Sequence, residues 1–227
     1  PEVTDEPEVT EEPDIPEPTD EPASTEPIPA GGVTEESTDL ASFTYTIDGV
    51  TYQFPTAVSQ MKTGSLPLDL QAALPAVNRG NAEDIDQALR DTQFYHYSTD
   101  IYMELIGVTN LTGAAASAAD GVITELVDTR GDQLDLVLPG NVRIGEPVIN
   151  LVTSFPEFLN VAMDGTATYR DNDTIYAANY RPDGCYGYVI LKNNAPYYSA
   201  LSIVCDNGTI REISMECLGA AQLAQFF

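Results

Sequence analysis

The sequence predicts an α+β fold, antiparallel β-sheets with short helices packed on one face. Three observations carry that expectation. Phe43–Ile47 and Val50–Phe54 alternate apolar and polar residues and are joined by Asp48-Gly49, two residues that suit the positive φ angles of a tight hairpin turn. Further on, Leu138–Pro156 (LPGNVRIGEPVINLVTSFP) reads as the end of a strand, a Pro-Gly turn, a short strand and a helix. There Val148, Leu151, Val152 and Phe155 recur at i, i+3, i+4 and i+7, one apolar stripe on a helix of about two turns. Finally, Thr174–Tyr180, Tyr186–Lys192, Tyr197–Cys205 and Thr209–Met215 read as successive strands that this helix could cover, the last two joined by a second positive-φ turn at Asn207-Gly208.

Taken in order, the chain begins with a compositional break. Residues 1–39 hold 14 Asp or Glu, no Lys or Arg and 8 of the 16 prolines. Val3, Val9, Ile15, Ile28 and Val33 are almost its only large apolar side chains, too few to offset the entropy of ordering the segment. It is expected to be a disordered acidic Pro/Glu/Thr-rich linker, extended by its prolines and by charge repulsion to about 120 Å at ~3.1 Å per residue. The globular part is then residues 40–227, with lobes expected at 40–129 and 130–227. Pro147 suits the first turn of the helix that follows, where its missing amide has no partner to lose.

Between hairpin and helix the signals are weaker. Residues 56–62 suit one or two helical turns, and Leu66–Leu74 and Ala82–Asp91 are short helical candidates. Asn81 is placed to cap the second, with Glu83 and Asp84 in its positive first turn. Phe94–Leu111 is aromatic and β-branched enough for one or two strands, Thr112–Asp120 is a small-residue loop, and Val122–Val127 and Leu134–Leu138 are further strands. Leu218–Phe227 suits a short terminal helix.

Charge narrows the function classes. The formal net charge is −27, and all nine basic residues lie from Lys62 onward. Nucleic-acid binding and docking on anionic lipid both need clustered Lys and Arg, so both are excluded. No stretch approaches the roughly 18 continuous apolar residues of a membrane-spanning helix. Cys185, Cys205 and Cys217 match no zinc or redox spacing. The first two stand on neighbouring strands, which leaves a disulfide open beside the plainer reading of buried thiols.

No catalytic constellation stands out. Ser59-Gln60-Met61-Lys62 and Lys62-Thr63-Gly64 match the S-x-x-K and K-T-G signatures of penicillin-binding enzymes, but that chemistry needs the two motifs on separate elements facing one site. Here they overlap within six residues, a coincidence. His96 is the only histidine and has no identifiable partner for a triad or a metal site. Asp164, Asp171, Asn172, Asp173 and Asp183 make oxygen-rich loops without the spacing of a calcium loop, and read as solvated turns. Asn110, Asn172 and Asn207 head glycosylation sequons, short patterns that carry no chemistry of their own. No cofactor and no metal is expected.

The best functional clue is tyrosine. Seven of the twelve, Tyr169, Tyr176, Tyr180, Tyr186, Tyr188, Tyr197 and Tyr198, fall within thirty residues. If several shared one exposed sheet face, they would form an amphipathic contact surface for a protein or a glycan. The plainer alternative is that tyrosine fits a half-buried pleated strand.

The acidic linker, the hairpin FTYTIDGVTYQFP and the segment LPGNVRIGEPVINLVTSFP followed by a Tyr-rich meander together resemble surface lipoproteins of gut Firmicutes. The second half is similar to the module of BamE-type lipoproteins and β-lactamase-inhibitor proteins, an IG…V…F helix on an antiparallel sheet. The resemblance spans roughly residues 41–217 and departs from the lipoprotein pattern in having no lipobox cysteine. It implies an extracellular, cell-surface location with a lipid anchor upstream, on a Gram-positive membrane. The expected function is a non-enzymatic surface binding or adaptor protein of unknown ligand. The alternatives are a wall-associated hydrolase or hydrolase inhibitor working through carboxylates, and a structural envelope protein.

Overall fold

The computed structural model describes residues 30–62, 73–74, 89, 93–99, 102–111, 116–129, 131, 134–155, 157–158, 168–171, 173–180, 186–194 and 197–223. For 93–99, 102–104, 168–171, 179–180 and 186 only the backbone is described. Of the linker expected over 1–39, residues 1–29 lie outside these residues.

Thirteen strands are described: β1 (Thr44–Ile47), β2 (Val50–Gln53), β3 (Thr56–Ala57), β4 (Ala73–Leu74), β5 (Gln93–Thr99), β6 (Tyr102–Thr109), β7 (Ala116–Ser117), β8 (Val122–Asp128), β9 (Thr168–Asp171), β10 (Thr174–Tyr180), β11 (Tyr186–Asn194), β12 (Tyr197–Asp206) and β13 (Thr209–Leu218). Antiparallel sheet dominates and helices are few. One sheet runs β5-β6-β8-β13-β12-β11-β10-β9, with β3 added on β8. The two expected lobes therefore do not carry separate sheets. β8, from the first half, pairs directly with β13, from the second, and one core cluster draws on residues from Leu40 to Cys217.

Both hairpin turns form as the sequence predicts, because aspartate or asparagine followed by glycine tolerates left-handed backbone. Asp48 and Gly49 have φ 51° and 72°, and Asn207 and Gly208 have φ 49° and 79°. The predicted apolar stripe also packs as expected. On the helix Val148–Ser154, Leu151 is fully buried and Val148 and Val152 are partly covered, with Phe155 buried at the C-cap. Ile149, off the stripe, is 63% exposed.

Four expectations are corrected. Residues 30–39 are not free linker. Gly31 and Val33 bridge to Thr56 and Tyr52, and the Gly31 amide donates to the Pro55 carbonyl at 2.7 Å. This strap is held by backbone bonds, which composition does not report. Leu134–Leu138 is no strand of the sheet. It is irregular chain with buried leucines, left-handed at Asp135, and Val137 exchanges backbone hydrogen bonds with Thr46 at 2.7 and 3.0 Å, extending the hairpin on its other edge. Ala73–Leu74, placed in a helix by periodicity, instead pairs with Ala116–Ser117 inside the segment read as a loop. Thr56–Ala57 pairs with β8 before a single 3₁₀ turn at Val58–Gln60. Each case is a non-local pairing overriding a weak local preference. Of the helix expected over 82–91, only Leu89 is described, helical and buried.

Candidate functional site

Strand alternation decides the fate of the tyrosines. Tyr176, Tyr188 and Tyr197 are 6%, 4% and 5% exposed, so these three belong to the core and not to a contact surface. Their strand positions face the side covered by the hairpin and by Phe158, and alternate side chains on a pleated strand share one face. Phe158 meets Tyr176 and Tyr188 edge-to-face, with centroids 5.9 and 5.1 Å away, the geometry that the ring quadrupole favours. Tyr198, on the opposite face, is half-buried against Leu191, Ala200 and Leu218. Tyr169, Tyr180 and Tyr186 lie in β9, β10 and β11, where Tyr169 pairs with Tyr176 and Tyr180 with Tyr186.

Two concave surfaces flank the β1–β2 hairpin, whose two edges are both occupied, and another of about 240 Å³ lies beside the helix Val148–Ser154. On the β1 side, a groove of about 310 Å³ opens between the hairpin and residues 135–141. Thr44 and Thr51 are buried and Thr46 is half-buried at its floor, with Thr46 and Thr51 sharing a hydroxyl hydrogen bond of 2.9 Å. Glu36, Asp48 and Asp135 stand exposed at the rim, and among the described residues no Lys or Arg lines it. Local backbone shapes this groove. Asp48, Gly49, Asp135, Gly140 and Asn141 all have positive φ, the region that Gly, Asn and Asp enter most readily. Tyr45 lines the groove yet is spent on structure. Its hydroxyl donates to Thr56 at 2.8 Å, Thr56 donates to the Gln53 carbonyl at 2.7 Å, and burial pushes the phenol's proton affinity up.

On the β2 side lies a second pocket, about 200 Å³, between the strap, the end of the hairpin, the end of β11 and the start of β12. Its chemistry is the reverse. Among the described residues Lys192 is the charged one lining it, and Gln53, Asn194, Tyr197 and Phe54 are among its other walls.

A third feature sits on the sheet face away from the main core. Glu125 of β8 and Glu216 of β13 are directly paired across the ladder and half-buried, a position that puts Cβ atoms about 5 Å apart. Burial, and then the neighbouring Glu216 charge, pushes the Glu125 carboxyl up to about 7. Burial also raises Glu216; a hydrogen bond from the Ser214 hydroxyl at 3.5 Å opposes this and the Glu212 charge adds to it. Cys217 is fully buried and pushed well above the usual thiol range by burial and by both glutamates. No periodicity could have paired Glu125 with Glu216, since they are distant in sequence and meet only through register.

The remaining motifs are scattered. Ser59 and Lys62 are both exposed, and the Lys62 amide donates to the Tyr52 hydroxyl at 3.1 Å; Thr63 and Gly64 lie outside the described residues. His96 lies in β5, opposite Leu105. Asp173 is exposed in a turn, Asp171 ends β9, and Asp164, Asn172, Asp183 and Cys185 lie outside the described residues. Cys205 and Cys217 are buried. Among the described residues no group of three His, Cys, Asp or Glu could hold a metal ion, and no helix is long and apolar enough to cross a membrane. No family model, curated protein or solved structure matches this chain.

Proposed function

We propose that this is a non-enzymatic binding or adaptor protein of a bacterial cell surface, and that its contact site is the groove on the β1 side of the hairpin. The observation that carries this reading is the groove itself, a floor of threonine hydroxyls under three rim carboxylates, with no Lys or Arg among the described lining residues. Such a lining accepts hydrogen bonds from a cationic donor and repels an anion. The ligand best suited is a partner protein presenting a basic side chain, steered by the −27 charge of the whole chain. The acidic first 39 residues and the resemblance to surface lipoproteins support the location.

Calorimetric titration of the full chain with short Lys- and Arg-containing peptides tests this. Binding should weaken with added salt and fall at least tenfold in Asp48→Asn combined with Asp135→Asn. Peptide binding that ignores both salt and the double substitution would sink the proposal, and salt-insensitive binding of neutral oligosaccharides alone would move the ligand to sugar.

One observation favours a second reading, a carboxylate hydrolase. Glu125 and Glu216 form a facing pair with the proton affinity of Glu125 raised, as a general acid requires. Release of reducing sugar from cell-wall polysaccharide, lost in Glu125→Gln, would establish it; no turnover by the wild-type chain would dismiss it.

A further inference from the structure

The pocket on the β2 side has a chemistry that the groove reading does not use. Lys192 is half-buried in a chain of net charge −27, yet no carboxylate lies within 4 Å of its ammonium among the described residues. Its hydrogen bond is to a neutral acceptor, the Ala41 carbonyl, at 3.3 Å. An ammonium partly withdrawn from water without a counter-charge carries a desolvation cost that an ion-pair partner would offset. With three protons and one long bond, it has donors to spare.

The walls around it define what could supply that partner. Tyr197 reaches the same pocket from the neighbouring strand, and its hydroxyl makes no hydrogen bond among the described residues. Burial favours its neutral form, a donor. The amide nitrogens nearby are already committed: Gln53 Nε2 donates to the Ser42 carbonyl at 2.8 Å and Asn194 Nδ2 to Ser199 Oγ at 2.8 Å. Phe54 and Pro55 give the pocket an apolar side, and Gly31 of the strap closes it. Gly31 is needed there, because a Cβ would stand 2.5 Å from both Gln53 Cβ and its carbonyl oxygen. Two unspent donors, one cationic, beside an apolar wall and without a carboxylate among the described lining residues describe a site for an anion with an apolar body.

We propose that this pocket binds a small carboxylic acid, its carboxylate held by Lys192 and Tyr197 and its apolar body lying against Phe54 and Pro55. A charge-assisted pair of this kind forms bonds of about 2.7–2.9 Å. A flat, bidentate anion suits two donors arriving from adjacent strands. The size of the pocket restricts the ligand to a free acid or to the last residue of a chain, and both present the same group.

The test is an amide-resonance NMR titration of the full chain with benzoate, with benzyl alcohol as its uncharged counterpart and with a short peptide ending in phenylalanine as the second source of the carboxylate. Benzoate should give saturable shifts at Gly31, Lys192 and Asn194, and benzyl alcohol none. Lys192→Met should weaken benzoate at least tenfold, and Tyr197→Phe about threefold. Because Tyr197 is buried, each variant's spectrum is first compared with wild type, and Lys192→Gln serves if the methionine variant repacks. Tighter binding of the peptide than of benzoate would assign the site to carboxyl termini, and the reverse to free acids. Equal shifts from benzoate and benzyl alcohol, no saturation, or unchanged affinity in Lys192→Met would overturn the proposal. None of these outcomes bears on the acidic groove, which Lys192 does not line.

Discussion

The Tyr-rich meander and the amino-terminal hairpin divide the molecule's chemistry in an unexpected way. The meander concentrates residues suited to a contact surface and buries three of the four rings whose burial is described, the fourth, Tyr198, being half-buried. The hairpin is built of ordinary Thr, Gly, Asp and Gln, yet its two edges carry the grooves, one acidic and one containing Lys192. The difference follows from position in the sheet. Central strands have both neighbours hydrogen-bonded and one face on the core, so their large side chains fill space. A two-stranded ribbon instead leaves both edges for other segments to meet, and imperfect joins between segments leave concavities.

The sharpest way to break this contrast is to truncate a meander tyrosine. Tyr188→Ala should cost about 3–5 kcal/mol of unfolding free energy in urea, as for other buried aromatic deletions. A loss below about 1 kcal/mol would return the ring to the surface and restore the contact reading.

Acid should separate the two regions next. The folded Glu125 carboxyl titrates near 7, above its ordinary value of 4.5, and Glu216 is raised too. The folded state therefore holds protons that the unfolded chain releases. The pair's favourable contribution is complete below about pH 4.5 and is lost as pH rises through about 7. After allowance for solvent screening of a half-exposed pair, the span is on the order of 2 kcal/mol. Glu125→Gln combined with Glu216→Gln should flatten the pH dependence of the unfolding midpoint across that window, leaving the hairpin grooves unchanged. An equally steep dependence in the double variant would show that the wider acidic surface causes it.

Gly31→Val acts on the hairpin alone. With a Cβ meeting Gln53 at 2.5 Å, the strap should lift, at a cost of about 1–2 kcal/mol. The pocket beside Lys192 should open and the acidic groove persist, which comparison of amide shifts at Gln53 and Thr46 would reveal. The smallest effect is expected at the groove floor. Thr51→Val removes the 2.9 Å hydroxyl bond to Thr46 and should lower stability by about 1 kcal/mol or less, with its consequence read in peptide binding. A thermal shift comparable to that of Tyr188→Ala would mean that the floor is core and no ligand surface.

The amino-acid sequence by itself determined those features whose cause is local. Asp48-Gly49 and Asn207-Gly208 make hairpins because consecutive residues able to take positive φ leave few other turns open. Val148, Leu151, Val152 and Phe155 bury one helical stripe because 3.6-residue periodicity needs no knowledge of the partner. The bounds of β10 and the first residues of β11 and β12 were likewise legible from alternation and turn residues, while β11 and β12 run on to Asn194 and Asp206, past the expected ends at Lys192 and Cys205. Only the tertiary structure decided the rest. Whether a tyrosine on an alternating strand faces core or solvent depends on what covers each face, and the cover here comes from the hairpin and Phe158, far away in the chain. Glu125 meets Glu216 through a strand register that joins residues 91 apart in the chain (216 − 125), and Lys192 and Tyr197 come to line one pocket with Gly31 and Phe54 of a distant segment. Such contacts are set by global packing free energy, and no local pattern encodes them.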